Sequence, residues 1–363
     1  MPTIIIIIII IIIIMIVSVL DRSAGFYSGI FFMLNHYIHC KENRITFVLD
    51  TMEWLFKYNA GWEDYFENID LLFDAAADNE PTTSRSAGVM QFFRHSQIIE
   101  NFGIAKYRAA IREIYRYNIA TRDYIAHVAA TQLAEVGYNF DAVFIRRGDK
   151  LYDESAFIPT VEYFKLLMNR RRRFAGTSPL HIFLQTDDYN CVIEAQAYID
   201  GYNAGYDGKH QPVQLFTLCR RENTGGMIIF PRNLNETIKY NASAQYVSEN
   251  IAEYAKRRSV YEYTPPEIYE HTLEMIAGVD FVLRSRICVL DLQSNVSRFI
   301  RLMRDDNDEP SYTTTLDIAQ LETDPQNHDR RRNFSADNMV CPAFASSIYP
   351  DNFVVANTHH TQL

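Results

Sequence analysis

The residues best suited to chemistry stand together in the stretch from Asp141 to Phe164, which reads DAVFIRRGDKLYDESAFIPTVEYF. Ala142-Val143-Phe144-Ile145 is an apolar run of the length a buried parallel strand needs. Arg146, Arg147, Asp149, Lys150, Asp153 and Glu154 follow it directly. A guanidinium offers phosphate oxygens a fixed fork of donors, so two adjacent arginines suit a diphosphate. Glu154, a few residues on, could serve as a base beside them. Open α/β sheets bind ligands at the carboxyl ends of their strands, which is where this cluster falls. The same residues would also make a solvated loop with internal salt bridges, and residue types alone leave both readings open.

The elements around this stretch must position it. Pro159 marks the first turn of a helix carrying Val161, Phe164, Leu167 and Met168. A second strand, His181 to Leu184, closes on Asp187 and Asp188, and a helix over Val192–Ile199 follows. Leu215 to Leu218 reads as a third strand, Thr272 to Val282 as a helix, and Ile287 to Leu290 as a strand running into a turn at Ser294 and Asn295. Nearer the amino terminus, Ser23 to Gly29 is a glycine-containing loop before a helix over Phe31–His39, and Ile45 to Asp50 is a buried strand. Backbone amides at a helix start such as that near Gly25 favour phosphate. The spacing predicts an exposed loop over Asp74–Ser86 and helical structure over Ala87–Glu135. Strands alternating with helices predict parallel α/β sheets. The aromatic segment Trp54 to Phe66 suits either a core or a surface that stacks on sugar rings.

Three ordered motifs resemble those of the α1,6-fucosyltransferase family. Ile145-Arg146-Arg147-Gly148-Asp149-Lys150, then Glu154, Ala156-Phe157, Pro159 and Glu162-Tyr163, are similar to its V-R-R-x-D-K and E-x-A-F-x-P-x-x-E-Y signature. Phe183-Leu184-Gln185-Thr186-Asp187-Asp188 resembles its L-A-T-D-D strand end, and Ser294-Asn295-Val296-Ser297-Arg298 its S-S-x-V-x-R turn. The resemblance spans about residues 140–305. It implies a GT-B-like α/β fold, with two Rossmann-like parallel-sheet domains facing a cleft. The implied activity is inverting transfer of fucose from GDP-fucose to a glycan or glycoprotein hydroxyl, with no cofactor and no metal. Arg146 would bind the donor's β-phosphate, and Arg147 would belong to the same donor site, supporting Arg146 by pairing with Asp149. Asp149 and Lys150 would contact acceptor and donor, and Glu154 would be the base. Ser294, Asn295 and the Gly25 loop would serve the diphosphate, Asp187 and Asp188 would support the site, and Asp280, or else Glu274, would hold guanine. One residue departs from the pattern: the family has a histidine beside the guanine where this chain has Phe144, which cannot hydrogen-bond a base edge. The same site could also belong to a binding protein without turnover, or to a transferase for another nucleotide sugar.

At 363 residues with 48% apolar composition, the chain can bury two cores of ordinary size. Its formal charge of -10 disfavours broad nucleic-acid binding, which needs a basic face. The five cysteines show no C-x-x-C spacing, and no histidine cluster stands at zinc spacing. The sequence predicts an apolar segment over 1–20, an amino-terminal α/β domain over 21–135, a donor-binding domain over 136–305 and a polar surface tail over 306–363. Residues Ile4 to Leu20 are unbroken apolar sequence. They suit either a membrane anchor placing the catalytic domain in a lumen, or the opening strand of a soluble form. Arg170 to Arg173 reads as a solvated helix end.

Overall fold

Asp141–Ile145 forms strand β4, buried along its whole length at the centre of a five-stranded sheet. In the computed structural model the described residues are 15–22, 24–71, 82–85, 104–134, 136–137, 139–148, 150–153, 157–171, 180–205, 212–221, 241–250, 258–291, 293–304 and 313–315. Among them the sheet runs β6-β5-β4-β7-β8, from β6 (Val213–Phe216) through β5 (Leu180–Thr186) to β7 (Cys288–Leu290) and β8 (Thr313–Thr315). Every pairing is parallel, with Ile145 opposite Thr186 and Phe144 opposite both Gln185 and Leu290. An all-parallel sheet has to be covered on both faces, which explains why β4 carries no alternation of polar residues.

Side chains on β4 divide between those two faces. Val143 and Ile145 join Ile182, Leu184 and Val289 against the helices Thr160–Arg171 and Tyr189–Ala204, which supply Phe164, Leu167, Cys191, Ala195 and Ile199. On the other face Phe183 meets the Phe281 ring at 5.2 Å, with Phe140 and Phe216 alongside. Phe281 belongs to the helix Pro265–Arg284, whose carboxyl end is closed by a buried arginine. Arg304 donates to the carbonyls of Val282 (2.7 Å) and Leu283 (3.3 Å) in the last turn and to those of Ser285 (2.9 Å) and Arg286 (3.0 Å) just beyond it.

A second, smaller sheet has the order β2-β1-β3, with β1 (Met15–Val19) paired in parallel to β2 (Thr46–Asp50) and β3 (Thr82–Arg85). The helix Phe26–Asn43 packs on it, and His36 meets Ser18 of β1 at 2.9 Å. Trp54, Trp62, Tyr65 and Phe66 are buried with Phe26, so the aromatic segment is core. The loop between Trp54 and Trp62 is fastened by one carboxylate: Asp64 accepts from the backbone N–H groups of Tyr58, Asn59, Ala60 and Gly61.

The chain therefore has the expected α/β class with parallel sheets in two units. One unit comprises Met1–Arg122 with Thr264–Thr272, and the other Asp123–Tyr263 with Leu273–Leu363. The division differs from the boundary expected at 135. Thr264–Thr272 returns to the first unit because Tyr269 stacks on Tyr58 (4.7 Å) and lies against Tyr65 (5.4 Å). Met15–Val19, at the end of the apolar run, is strand rather than membrane span, since both of its edges are hydrogen-bonded to neighbours. Residues 4–14 lie outside the described residues, and no helix among the described residues is long and apolar enough to cross a membrane. Two expected loops contribute strands, β3 from the polar stretch 74–86 and β8 from the tail, both rich in the β-branched threonine that suits extended backbone. Arg171 is not solvated as expected, because its Nη1 donates to the buried Asp141 carboxylate at 2.6 Å.

Burial, and then the neighbouring His39, lower the pKa of His36 to about 4, from 6.5 for the unfolded chain. Between these values the unfolded chain takes up a proton that the folded chain refuses, so stability falls as pH drops from 6.5 towards 4. Replacing His36 by glutamine should flatten that part of a stability-versus-pH profile, by up to about 3 kcal/mol. Denaturant unfolding at neutral and acidic pH measures it.

Candidate functional site

The carboxyl ends of β4, β5 and β7 lie side by side, and each passes directly into polar residues: Arg146 and Arg147, Asp187 and Asp188, and Asp291. Parallel pairing brings these three exits to one edge, so residues far apart in the chain meet there.

Asp187 joins the two arginines. One carboxylate oxygen forms an ion pair with the Arg146 guanidinium, and the other accepts the backbone N–H of Arg147 at 2.8 Å. The side chain of Arg146 is 14% exposed, against 2% for that of Arg147. Gly148 closes the turn at φ 40°, and a Cβ there would overlap both the Asp187 carboxylate and the Arg146 guanidinium. Glycine is therefore required twice at this position, by conformation and by space.

Arg147 is placed differently from the expectation. It is 1% exposed, and its guanidinium donates to both Glu194 oxygens (3.0 and 2.9 Å), to Tyr246 Oη (2.7 Å) and to Thr160 Oγ1 (2.9 Å). The Phe157 and Tyr246 rings lie 4.7 and 4.5 Å from its central carbon. A phosphate has no approach to such a group, so Arg147 is a support and not a donor ligand. Glu194 supplies the counter-charge to Arg147; Asp149, the partner expected for it, lies outside the described residues, as does Glu154. Burial pushes the Glu194 carboxyl up, but the Arg147 guanidinium more than offsets this and holds it below the usual carboxylate range.

Asp188 is fully buried and caps the helix Tyr189–Ala204 by accepting from the Asn190 N–H at 3.0 Å. Its second oxygen accepts from Tyr246 Oη at 3.0 Å. Lys150 is half-buried at the start of a short helix, with its backbone N–H on the Arg147 carbonyl. At the exit of β7, Ser294 caps the helix Asn295–Met303 by accepting from the Val296 N–H at 3.1 Å. Asn295 accepts from Arg298 at 2.9 Å.

Asp280 is 4% exposed, and Arg284 Nε donates to it at 2.5 Å. The alternative, Glu274, is paired with Arg220. Phe144 is buried as well. Gly25 belongs to the first unit, where it precedes the helix Phe26–Asn43 in an extended conformation with φ -66°. Any residue adopts that conformation, so the backbone there does not require glycine.

Two polar residues at this edge were not expected. Asp291 is 2% exposed, accepts from Tyr163 Oη at 2.8 Å, and has its carboxyl pushed up by burial. An aspartate immediately after an apolar strand was the available signal, the same one that marks Asp187. Gln185, beside Phe144 in register, has a buried Oε1 without a partner among the described residues, and its carboxamide occupies the space that Gly278 leaves open. Among the described residues no group of three His, Cys, Asp or Glu could hold a metal ion.

No protein-family model and no curated protein matches the chain. Among solved structures it is similar to NodZ alpha-1,6-fucosyltransferase co-crystallized with GDP, at 12% identity and a TM-score of 0.41, over 79% of this chain and 92% of that one. It is also similar to fucosyltransferase NodZ from Bradyrhizobium, at 12% identity and a TM-score of 0.37, over 79% and 93%. A mutant of Arabidopsis thaliana FUT1 in complex with GDP is similar at 7% identity and a TM-score of 0.41, over 80% and 68%.

Gly148→Ala should lower the folding free energy by about 1–3 kcal/mol, through a left-handed backbone and a displaced Arg146–Asp187 pair. Denaturant unfolding against wild type measures the loss, and an unchanged midpoint would contradict the turn described here.

Proposed function

We propose that the chain is an inverting glycosyltransferase of the two-Rossmann-domain type, which moves fucose from GDP-fucose to a glycan or glycoprotein hydroxyl without a metal cofactor. The observation that carries the reading is Arg146, oriented by Asp187 at the carboxyl end of β4 and one strand away from the capped helix start at Ser294. A cation at a sheet edge beside a helix amino terminus, with its partial positive charge, suits a diphosphate. In the reaction the acceptor oxygen attacks the anomeric carbon as the bond from that carbon to the diphosphate oxygen breaks. The diphosphate leaves with the electron pair, and Arg146 stabilises the charge that develops on it. Glu154 takes the acceptor proton, with Asp149 and Lys150 contacting the substrates. Ser294 and the Asn295 backbone amide serve the diphosphate, Asp280 the base, and Asp187, Asp188 and Arg147 hold the loop.

A second reading keeps the chemistry and changes the nucleotide. It is favoured by Phe144, which is apolar and buried, and by Asp280, whose carboxylate already answers Arg284.

Product formation with a panel of nucleotide sugars and glycan acceptors tests both readings. Transfer from GDP-fucose should persist in excess EDTA, whereas a loss restored by manganese would contradict the metal-free mechanism. Glu154→Gln should lower kcat by ~10²–10⁴-fold, the usual range for a general base, while GDP affinity measured by calorimetry stays the same. Tight GDP binding with no turnover from any donor would make the chain a binding protein.

A further inference from the structure

Arg147 cannot reach a ligand, yet its backbone shares Asp187 with Arg146. Whatever holds the Arg147 side chain therefore also sets where Arg146 stands. Three side chains and the Ile158 carbonyl hold it, and two of the side chains, Glu194 and Thr160, are fixed on helices packed against the sheet. The third, Tyr246, comes from the helix Asn241–Glu249.

Tyr246 does two opposite things with one oxygen. It accepts from Arg147 Nη1 at 2.7 Å and donates to Asp188 Oδ2 at 3.0 Å. Asp188 is fully buried and needs a donor, Arg147 has only donors and needs an acceptor, and a hydroxyl supplies both at once. The Tyr246 ring also stacks on Phe157 at 4.4 Å, and Ser243 on the same helix accepts the Phe157 N–H at 2.9 Å. The ring packs the helix in place and covers the Arg147 guanidinium, while the hydroxyl alone links Asp188 to Arg147.

We infer that Tyr246 is a positioning residue for Arg146, acting through Arg147 and Asp187 to fix the cation that binds the donor diphosphate; this rests on the reading of Arg146 given above. Phenylalanine at this position keeps the stack and removes only the link, so Tyr246→Phe isolates the effect. In a merely structural role, the hydroxyl would matter equally whether Arg146 is present or not.

The test is calorimetric titration of GDP into the full chain as wild type, Tyr246→Phe, Arg146→Ala and the double variant. Tyr246→Phe should weaken GDP binding about tenfold, as expected for one buried hydrogen-bond link to a charged group, and should weaken it no further once Arg146 is alanine. Equal weakening in both backgrounds, or none in either, overturns the inference. Hydrogen exchange at the Arg147 amide is read alongside, because it reports the Asp187 bond without any ligand. It should quicken about tenfold in Tyr246→Phe. Unchanged exchange overturns the inference whatever GDP does. A wild type that binds no GDP overturns the donor reading and, with it, the positioning role, even if exchange quickens.

Discussion

A guanidinium almost closed off from water needs a counter-charge and acceptors, and the carboxyl edge of the larger sheet is organised around that requirement at the two Nη groups of Arg147, while its Nε has no hydrogen-bond partner among the described residues. An unanswered charge in such a place costs several kcal/mol. Glu194 supplies the counter-charge, Thr160 and Tyr246 supply acceptors, and two aromatic rings cover the faces. These partners come from three helices, so one side chain ties them to the exit of β4. Asp188 extends the arrangement through Tyr246, and Asp187 extends it through the Arg147 backbone.

The two adjacent arginines are thereby divided in role. Arg147 turns inward and is spent on structure, while Arg146 turns to the edge and keeps partial exposure. Alternation along the chain is what separates them: neighbouring residues leaving a strand point to opposite sides. A pair of arginines in a motif is therefore not a pair of ligands. The inner one makes the outer one precise in position, because Asp187 cannot hold Arg146 well unless its other oxygen is fixed by the Arg147 amide. Gly148 permits the turn that brings both to the same carboxylate.

Much of this was legible in the sequence where the signal is local. The apolar run before Arg146 is β4 within one residue, and the acidic pair after Thr186 ends β5 as expected. The helix expected from Thr272 begins at Pro265, because its first turns are polar and two prolines open it, a pattern that reads equally well as a loop. Local reasoning failed for Arg147. Glu194 is 47 residues away and Tyr246 is 99, and no spacing rule connects them. Asp149, two residues on, was the nearer choice and lies outside the described residues. The isoleucine-rich start was ambiguous for a physical reason, since bilayer and sheet both accept apolar β-branched residues. Pairing to β2 and β3 resolves it for Met15–Val19.

The division between the two arginines is tested most directly by measuring GDP affinity in Arg146→Met and Arg147→Met side by side, at temperatures where each is folded. Methionine keeps much of the length and removes the charge. The account predicts that Arg146→Met loses at least about 100-fold in affinity with its fold intact, as expected for a charge-assisted bidentate contact. Arg147→Met should lose far less affinity while its folding free energy falls by about 3 kcal/mol. The reverse pattern, with Arg147→Met stable but unable to bind GDP and Arg146→Met binding normally, would contradict it.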